Sequence, residues 1–372
     1  MHFYGILSHG ITSPVEIDGF ESFLRDFWWP LVEDELTPEL IQAGLRMSAL
    51  ELIDSGVTAV SDILEAPKSV PGVLRKEAEV IEELGLRAIL SIESSERVSN
   101  ELAELALQEN IDFYEEYKEH DIISGRQCLH TTFTCSKEYI KNSFEMARKV
   151  GAKSQLHLSE SKYEVDYSLE KYGKRPVELY DELDALGDDL LVSQAVKINQ
   201  DEIKLLKKNN VGVAHLPISN CEVGGGISPV PSMIKEGISV GLGTDGYVNN
   251  FLEVMRSAFL IHKAHHENPA VMPAELVYKM ATQYGAQAIG NERIGTIEKG
   301  NFADLITINI SSPTPINKDN VYEQLILFHN PENISEVMVN GKMIKENGKI
   351  KGYDLENIKK ATRQAAKKLW GE

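Results

Sequence analysis

From about residue 40 to residue 246 the apolar positions switch repeatedly between two spacings. Stretches with an apolar residue every three or four positions, such as PELIQAGLRMSALELIDSG, LRKEAEVIEELG and SKEYIKNSFEMARKVG, end at a glycine. After each helical stretch comes a short, mostly apolar run: VTAVSDI, LRAILSI, RQCLHTT, KSQLHLSE, LLVSQAV, VGVAHLP and ISVGLGTDG. The first spacing predicts amphipathic helices stopped by a left-handed glycine, and the runs predict strands buried on both faces. Helix and strand in alternation predict βα units around a parallel sheet. The runs number seven, one short of the eight that close a TIM barrel. The helix near residues 38–55 has no strand ahead of it, only MHFYGILSHGI and a loop around FLRDFWWP. The pattern reads as a (β/α)8 TIM barrel lacking strand 1.

Two more helical patterns follow, at roughly 249–267 and 273–289. Strand-like ADLITINI and SEVMVNGKMIKENGKI come next, with Asn340–Gly341 suited to a hairpin turn, and a basic helix, LENIKKATRQAAKKLW, closes the chain. So few strands do not make a stable sheet alone and need a surface to pack on.

Composition narrows the function. The chain has 372 residues and a net charge of −19, which disfavours nucleic acid or an anionic membrane as partner, since both demand clustered Lys and Arg. Its three cysteines, Cys128, Cys135 and Cys221, are too scattered for a disulfide framework or a CxxC metal site. No apolar run reaches spanning length and Met1–Gly10 lacks a basic leader, so the expected location is cytoplasmic.

In a barrel, function gathers at the C-terminal ends of the strands. Four of those ends carry groups suited to one job: His130 in CLHTTF, His157 with Glu160 in LHLSE, His215 in VAHLP and Asp245 in GLGTDG. A single buried histidine is more often a hydrogen-bonded core residue, and Asp245 alone suits a turn. Jointly they predict one divalent metal, Zn²⁺ first and Fe²⁺ second, held by imidazole nitrogen and carboxylate oxygen with a position open for water. His265 and His266, in AHHENP, read as solvated.

HLSE, AHLPISN, GLGTDG and ATQYGAQAIG…IGTIEKGNFADLITI, in that order, resemble the amidohydrolase superfamily. Within it, the match is to the chlorohydrolases and aminohydrolases that include guanine and S-adenosylhomocysteine deaminases. HFYG…LSHGI, FWWP, YGK and the C-terminal hairpin bring the chain closest to the SsnA-like aminohydrolases. The resemblance implies a barrel over residues 1–292, the C-terminal half of a small β-sandwich over 293–352 and a terminal helix over 353–372. Members carry an H-x-H pair at the end of strand 1, and MHFYG aligns with its last two residues. By this resemblance the sequence is expected to be N-terminally truncated, through a start codon placed too late.

The resemblance makes His2, His157 and Asp245 the metal ligands, Asp245 also the acceptor of the attacking water's proton, and Glu160 the shuttle to a ring nitrogen. It makes His130 a substrate contact, and Gln194 and Lys197, which depart from its pattern, are read as substrate contacts of a changed substrate. The implied reaction is deamination of a purine-like nitrogen heterocycle, a small-molecule partner, and barrels of this group are often homodimers. One departure stands out: Gln194, in LVSQAVKI, occupies the place of a histidine in patterns such as LAHCVHL, and glutamine cannot take up a proton near neutral pH. Two alternatives therefore stay open, a catalytically impaired partner subunit and a hydrolase of another C–N or a C–Cl bond.

Overall fold

The computed structural model describes residues 1–371. All seven apolar runs form parallel strand: β1 (Ala59–Ser61), β2 (Arg87–Leu90), β3 (Ile123–Gly125), β4 (Gln127–Cys128), β5 (Ser154–Leu158), β6 (Leu190–Gln194), β7 (Gly212–His215) and β8 (Val240–Leu242). RQCLHTT and the residues before it make one run broken at Arg126, whose buried guanidinium turns aside to donate to the Ile289 carbonyl at 2.8 Å. β3 therefore pairs with β2, β4 pairs with β5, and the sheets run β1-β2-β3 and β4-β5-β6-β7-β8. A bridge between Ser94 and Leu129 joins them.

Between β8 and β1 the barrel is closed at the mouth by the first two residues. The Met1 ammonium donates to the Ser61 carbonyl at 2.8 Å and the Met1 carbonyl accepts from Ile63 N–H at 2.9 Å. On the other side His2 N–H donates to the Asp245 carbonyl at 3.2 Å. The chain then coils into a 3₁₀ turn, Phe3–Ser8, where Gly5 lies against Gly246; a methyl group on Gly5 would stand 2.5 Å from the Gly246 carbonyl oxygen. FLRDFWWP, expected as a loop, is helical instead, in contiguous pieces Phe20–Ser22, Phe23–Trp28 and Trp29–Leu31. The cause is an aromatic stripe: Phe23 stacks on Trp28 at 5.6 Å and meets Phe27 edge-on at 5.9 Å.

Helix α1 (Pro38–Asp54) begins as its sequence dictates, with Thr37 as N-cap and Pro38 in the first turn, and it buries Leu40, Ile41, Leu45, Leu50 and Ile53. Each such side chain contributes about 1.5–3 kcal/mol of transfer free energy. Helix α2 (Phe251–His265) follows β8. The C-terminal strands β9 (Leu305–Ile308), β10 (Ile334–Val339), β11 (Lys342–Glu346) and β12 (Lys349–Ile350) form an antiparallel sheet in the order β12-β11-β10-β9. Asn340–Gly341 turns the β10–β11 hairpin with φ of +49° and +76°, the paired positive values a tight hairpin requires. A helix at Val321–Phe328, absent from the expected pattern, crosses between β9 and β10. Helix α3 (Leu355–Trp370) ends with Trp370 Nε1 donating to the Leu7 carbonyl at 3.0 Å. No helix among the described residues is long and apolar enough to cross a membrane.

Two buried cations pin the sheet to the barrel. Lys345 donates to the Asp54 carbonyl at 2.8 Å and reaches the Asp54 carboxylate at 2.8 Å. Arg87, on β2, clasps Asp304 with Nε at 2.6 Å and Nη2 at 3.0 Å. Arg87→Ala leaves the Asp304 carboxylate buried and unpaired, so it is expected to lower stability by about 3–5 kcal/mol. Urea unfolding followed by far-UV circular dichroism checks this, and a loss below about 1 kcal/mol would refute the pinning role.

Candidate active site

The strand ends deliver their polar residues to one place because successive side chains in a strand alternate faces and the C-terminal rim turns inward. His2, Glu65, Glu93, His130, His157, Glu160, Gln194 and Asp245 are all buried. Several of the rim residues take left-handed backbone, with φ of +51° at Ser159, +76° at Gln194, +47° at Ala195 and +59° at Asp245. Non-glycine residues in this region cost free energy, and such outliers gather where a side chain must be aimed.

His2 Nδ1 sits 2.7 Å from the Ile63 carbonyl oxygen, which can only accept, so Nδ1 carries a hydrogen and donates. His2 Nε2 then faces Asp245 Oδ1 at 3.1 Å and His157 Nε2 at 3.4 Å. Two imidazole nitrogens and a carboxylate oxygen at this separation repel unless a positive charge lies among them. A proton on His2 is one answer: burial disfavours the charged ring, but the Glu65 and Asp245 carboxylates outweigh it and hold its pKa up at about 9. His157, lowered to about 4 by burial, is neutral at pH 7 and offers a free electron pair. A divalent ion is the other answer, since ligands about 2.0–2.1 Å from a tetrahedral centre stand roughly 3.3 Å apart. The donor set fits such an ion.

Asp245 is held from every side. Gln194 Nε2 donates to Oδ2 at 2.8 Å, Ser219 Oγ donates to Oδ2 at 2.6 Å, and Gly246 N–H donates to Oδ1 at 2.9 Å. Burial alone would raise its pKa, but His2 and Ser219 hold it well below the usual carboxylate range. Glu160 is the opposite case: burial and the nearby Asp245 charge push it well above its ordinary value, which favours its acid form. The Glu160 backbone N–H donates to Glu164 at 3.2 Å, which fixes the turn that presents it.

Gln194 spends its amide on Asp245 and on Asn220, whose side-chain amide donates to Gln194 Oε1, an arrangement that orients Asp245. The Lys197 ammonium packs by Gly226, 2.8 Å from where a Cβ would stand. His215 turns to helix α2 and pairs with His262 at 3.2 Å between ring nitrogens, a buried neutral pair outside the cluster. His130 lies within the cluster, with Nδ1 2.9 Å from Thr134 Oγ1 and its ring edge-on to Trp29 and Phe133 at 6.0 and 5.5 Å.

Glu65 and Glu93, two carboxyls not foreseen, follow directly on β1 and β2. Glu65, Glu93, His130 and His157 each offer a donor atom within 4.8 Å of the others. Tyr4 donates its hydroxyl to Glu65. Arg97 is committed to Glu33 at 2.9 Å and Asp34 at 3.0 Å and stacks over Trp29.

The sequence profile of the amidohydrolase family matches residues 1–344. A 5'-deoxyadenosine deaminase of Methanopyrus kandleri is 32% identical over 352 residues, covering 93% of this chain and 80% of that protein. A 5-methylthioadenosine/S-adenosylhomocysteine deaminase of Caldanaerobacter subterraneus is 34% identical over 343 residues, covering 90% of this chain and 77% of the relative. Among solved structures, a zinc-bound adenosine deaminase from Xanthomonas campestris superposes with a TM-score of 0.90 at 22% identity, over 100% of this chain and 84% of that one. A zinc complex of an atrazine chlorohydrolase from Arthrobacter aurescens gives 0.85 at 20% identity, over 98% and 86%. At these identities the two structures establish the fold alone.

Proposed function

The chain belongs to the amidohydrolase family, and on that premise we propose that it is a metal-dependent deaminase of a purine-like heterocycle, an adenine-type nucleoside being the substrate class. The observation that carries the reading is the meeting of three electron-pair donors, His2, His157 and Asp245, with the buried carboxyl of Glu160 on the same rim. His2, His157 and Asp245 would hold one divalent ion, Zn²⁺ first, as in the neighbouring zinc-bound structures. When bound, that ion supplies Lewis-acid activation of a water molecule.

The rest falls to the chain's own residues. Asp245, locked by Gln194, Ser219 and Gly246, accepts a proton from the water as its oxygen bonds to the amino-bearing ring carbon. Glu160 gives its proton to the adjacent ring nitrogen, so that nitrogen becomes N–H and the carbon tetrahedral. The proton taken by Asp245 passes to the amino group, the C–N bond breaks as the hydroxyl proton returns to Glu160, ammonia leaves and a ring carbonyl remains. Trp29, Phe133 and Tyr163 wall the mouth with aromatic faces, which suit a flat ring.

Incubation of the zinc-loaded chain with 5'-deoxyadenosine, 5-methylthioadenosine, S-adenosylhomocysteine, adenosine and guanine, read by ammonia release and the ultraviolet shift on loss of the ring amine, tests the proposal. Turnover of at least one adenine nucleoside is expected. Inertness toward all of them, with chloride or amine released from substituted triazines instead, would overturn it.

A further inference from the structure

The peptide unit that carries Glu160 is bonded at both ends. The Ser159 carbonyl accepts from the backbone N–H of Val196 at 3.1 Å and of Lys197 at 2.8 Å, which ties it to the rim after β6. At the other end of the same peptide the Glu160 N–H donates to Glu164 Oε2 at 3.2 Å. Glu164 Oε1 in turn accepts from Thr132 Oγ1 at 2.8 Å, on the rim after β4. Glu164 and Thr132 are both wholly buried. The helix Lys162–Tyr172 begins with Ser161 as N-cap, and Glu164 is its third residue. In a capping box a glutamate at this place returns to the N–H of the N-cap residue itself. Here it passes over Ser161 to the residue before it and bridges to a neighbouring strand end. Its hydrogen-bond partners are a hydroxyl and an amide, neither of them a cation, so burying this carboxyl costs stability. Capping the helix alone does not account for it.

We propose that Glu164 is the positioning residue for proton delivery: spanning the rims after β4 and β5, it holds the Ser159–Glu160 peptide in the plane that aims the Glu160 carboxyl at the ring nitrogen. The inference rests on the role given to Glu160 above. Of the groups that fix this peptide, the Val196 and Lys197 amides are backbone and Glu164 is a side chain, the part a substitution can remove. Without it the Glu160 N–H is left buried with no acceptor, the left-handed Ser159 loses its hold, and Glu160 turns with the peptide. A displacement of about 1 Å at a reacting group costs about 10² in rate. His157 and Asp245 have anchors of their own: the His157 N–H donates to the His130 carbonyl at 3.0 Å, and Gln194, Ser219 and Gly246 hold Asp245. The loss therefore falls on kcat and not on KM or bound metal.

In the zinc-loaded full chain, Glu164→Ala is expected to lower kcat about 10²-fold with KM and bound zinc within about threefold. Glu164→Gln, whose amide oxygen still accepts the Glu160 N–H, is expected to recover kcat to within about tenfold of the unaltered chain. In a Glu160→Gln background the same Glu164→Ala change is expected to cost less than about threefold, since no proton is left to aim. Hydrogen–deuterium exchange read by mass spectrometry follows the anchor without any substrate. The Glu160 amide is expected to exchange at least about tenfold faster in Glu164→Ala, with the barrel strands unchanged. Should Glu164→Ala fail to fold, Thr132→Val, which takes the hydroxyl from Glu164 Oε1, serves in both measurements, with kcat expected down about tenfold. A full loss repeated in the Glu160→Gln background overturns the proposal, as does unchanged exchange at Glu160. Faster exchange in a chain that deaminates no nucleoside sinks the deaminase reading and leaves the anchor standing; turnover with additive losses sinks the positioning role alone.

Discussion

Asp245→Asn is expected to lower kcat/KM for the preferred adenine nucleoside by roughly 10³-fold or more and to strip the metal ion. The substitution keeps the size of the side chain, so packing around Ser219 and Gln194 survives; what goes is the charge. An amide is a poor ligand beside His2 Nε2 and His157 Nε2, and it cannot take a proton from water. Bound zinc measured by plasma mass spectrometry, alongside steady-state kinetics, reads both losses. Full activity with unchanged zinc would show that His2, whose Nε2 lies 3.1 Å from Asp245 Oδ1 and 3.4 Å from His157 Nε2, is the centre of a hydrogen-bonded cluster and nothing more.

Glu160→Gln should separate chemistry from binding. Its proton is the one delivered to the ring, so kcat is expected to fall by about 10²–10⁴ while bound zinc, KM and stability stay near those of the unaltered chain. The pH dependence has a definite sign. Burial and Asp245 raise the Glu160 pKa, so the acid form persists above the ordinary carboxylate range and is lost as pH rises through the raised value. The rate of the unaltered enzyme must therefore fall on its alkaline side. Were kcat of the variant within about threefold of the original, Glu160 would have no part in proton delivery.

The barrel was legible because its strands are buried on both faces and its helices on one, which writes two unmistakable spacings into the chain. The broken strand at Arg126 was not, because a guanidinium inside an apolar run shows its effect only when Ile289 comes round to accept from it. Aromatic spacing within FLRDFWWP was a usable mark of helix, hidden by the proline that follows. For the site, HLSE and GLGTDG announced themselves as strand ends. Glu65 and Glu93 did so equally, closing VTAVSDILE and ILSIE, yet they are two among 57 acidic residues and matter only because β1 and β2 lie side by side. His215 shows the converse, a strand-end histidine whose partner, His262, is reachable only once α2 folds over it. Gln194 reads as a lost histidine until Asn220 and Asp245 are seen to take up its amide.

The left-handed backbone at Ser159, Gln194, Ala195 and Asp245 has a further consequence, for how this protein can change over generations. Each such residue withholds about 1–2 kcal/mol from the folded state, and a domain has only about 5–15 kcal/mol in all. The rim of the mouth is thus a standing debt against heat tolerance, and glycine at Ser159 or Ala195 is the shortest route to repaying it. Lineages driven to higher temperature will find those substitutions cheap in packing and costly in aim, since the backbone that relaxes is the one that points Glu160 and Gln194. Thermal robustness and turnover are set against each other at the same few peptide units.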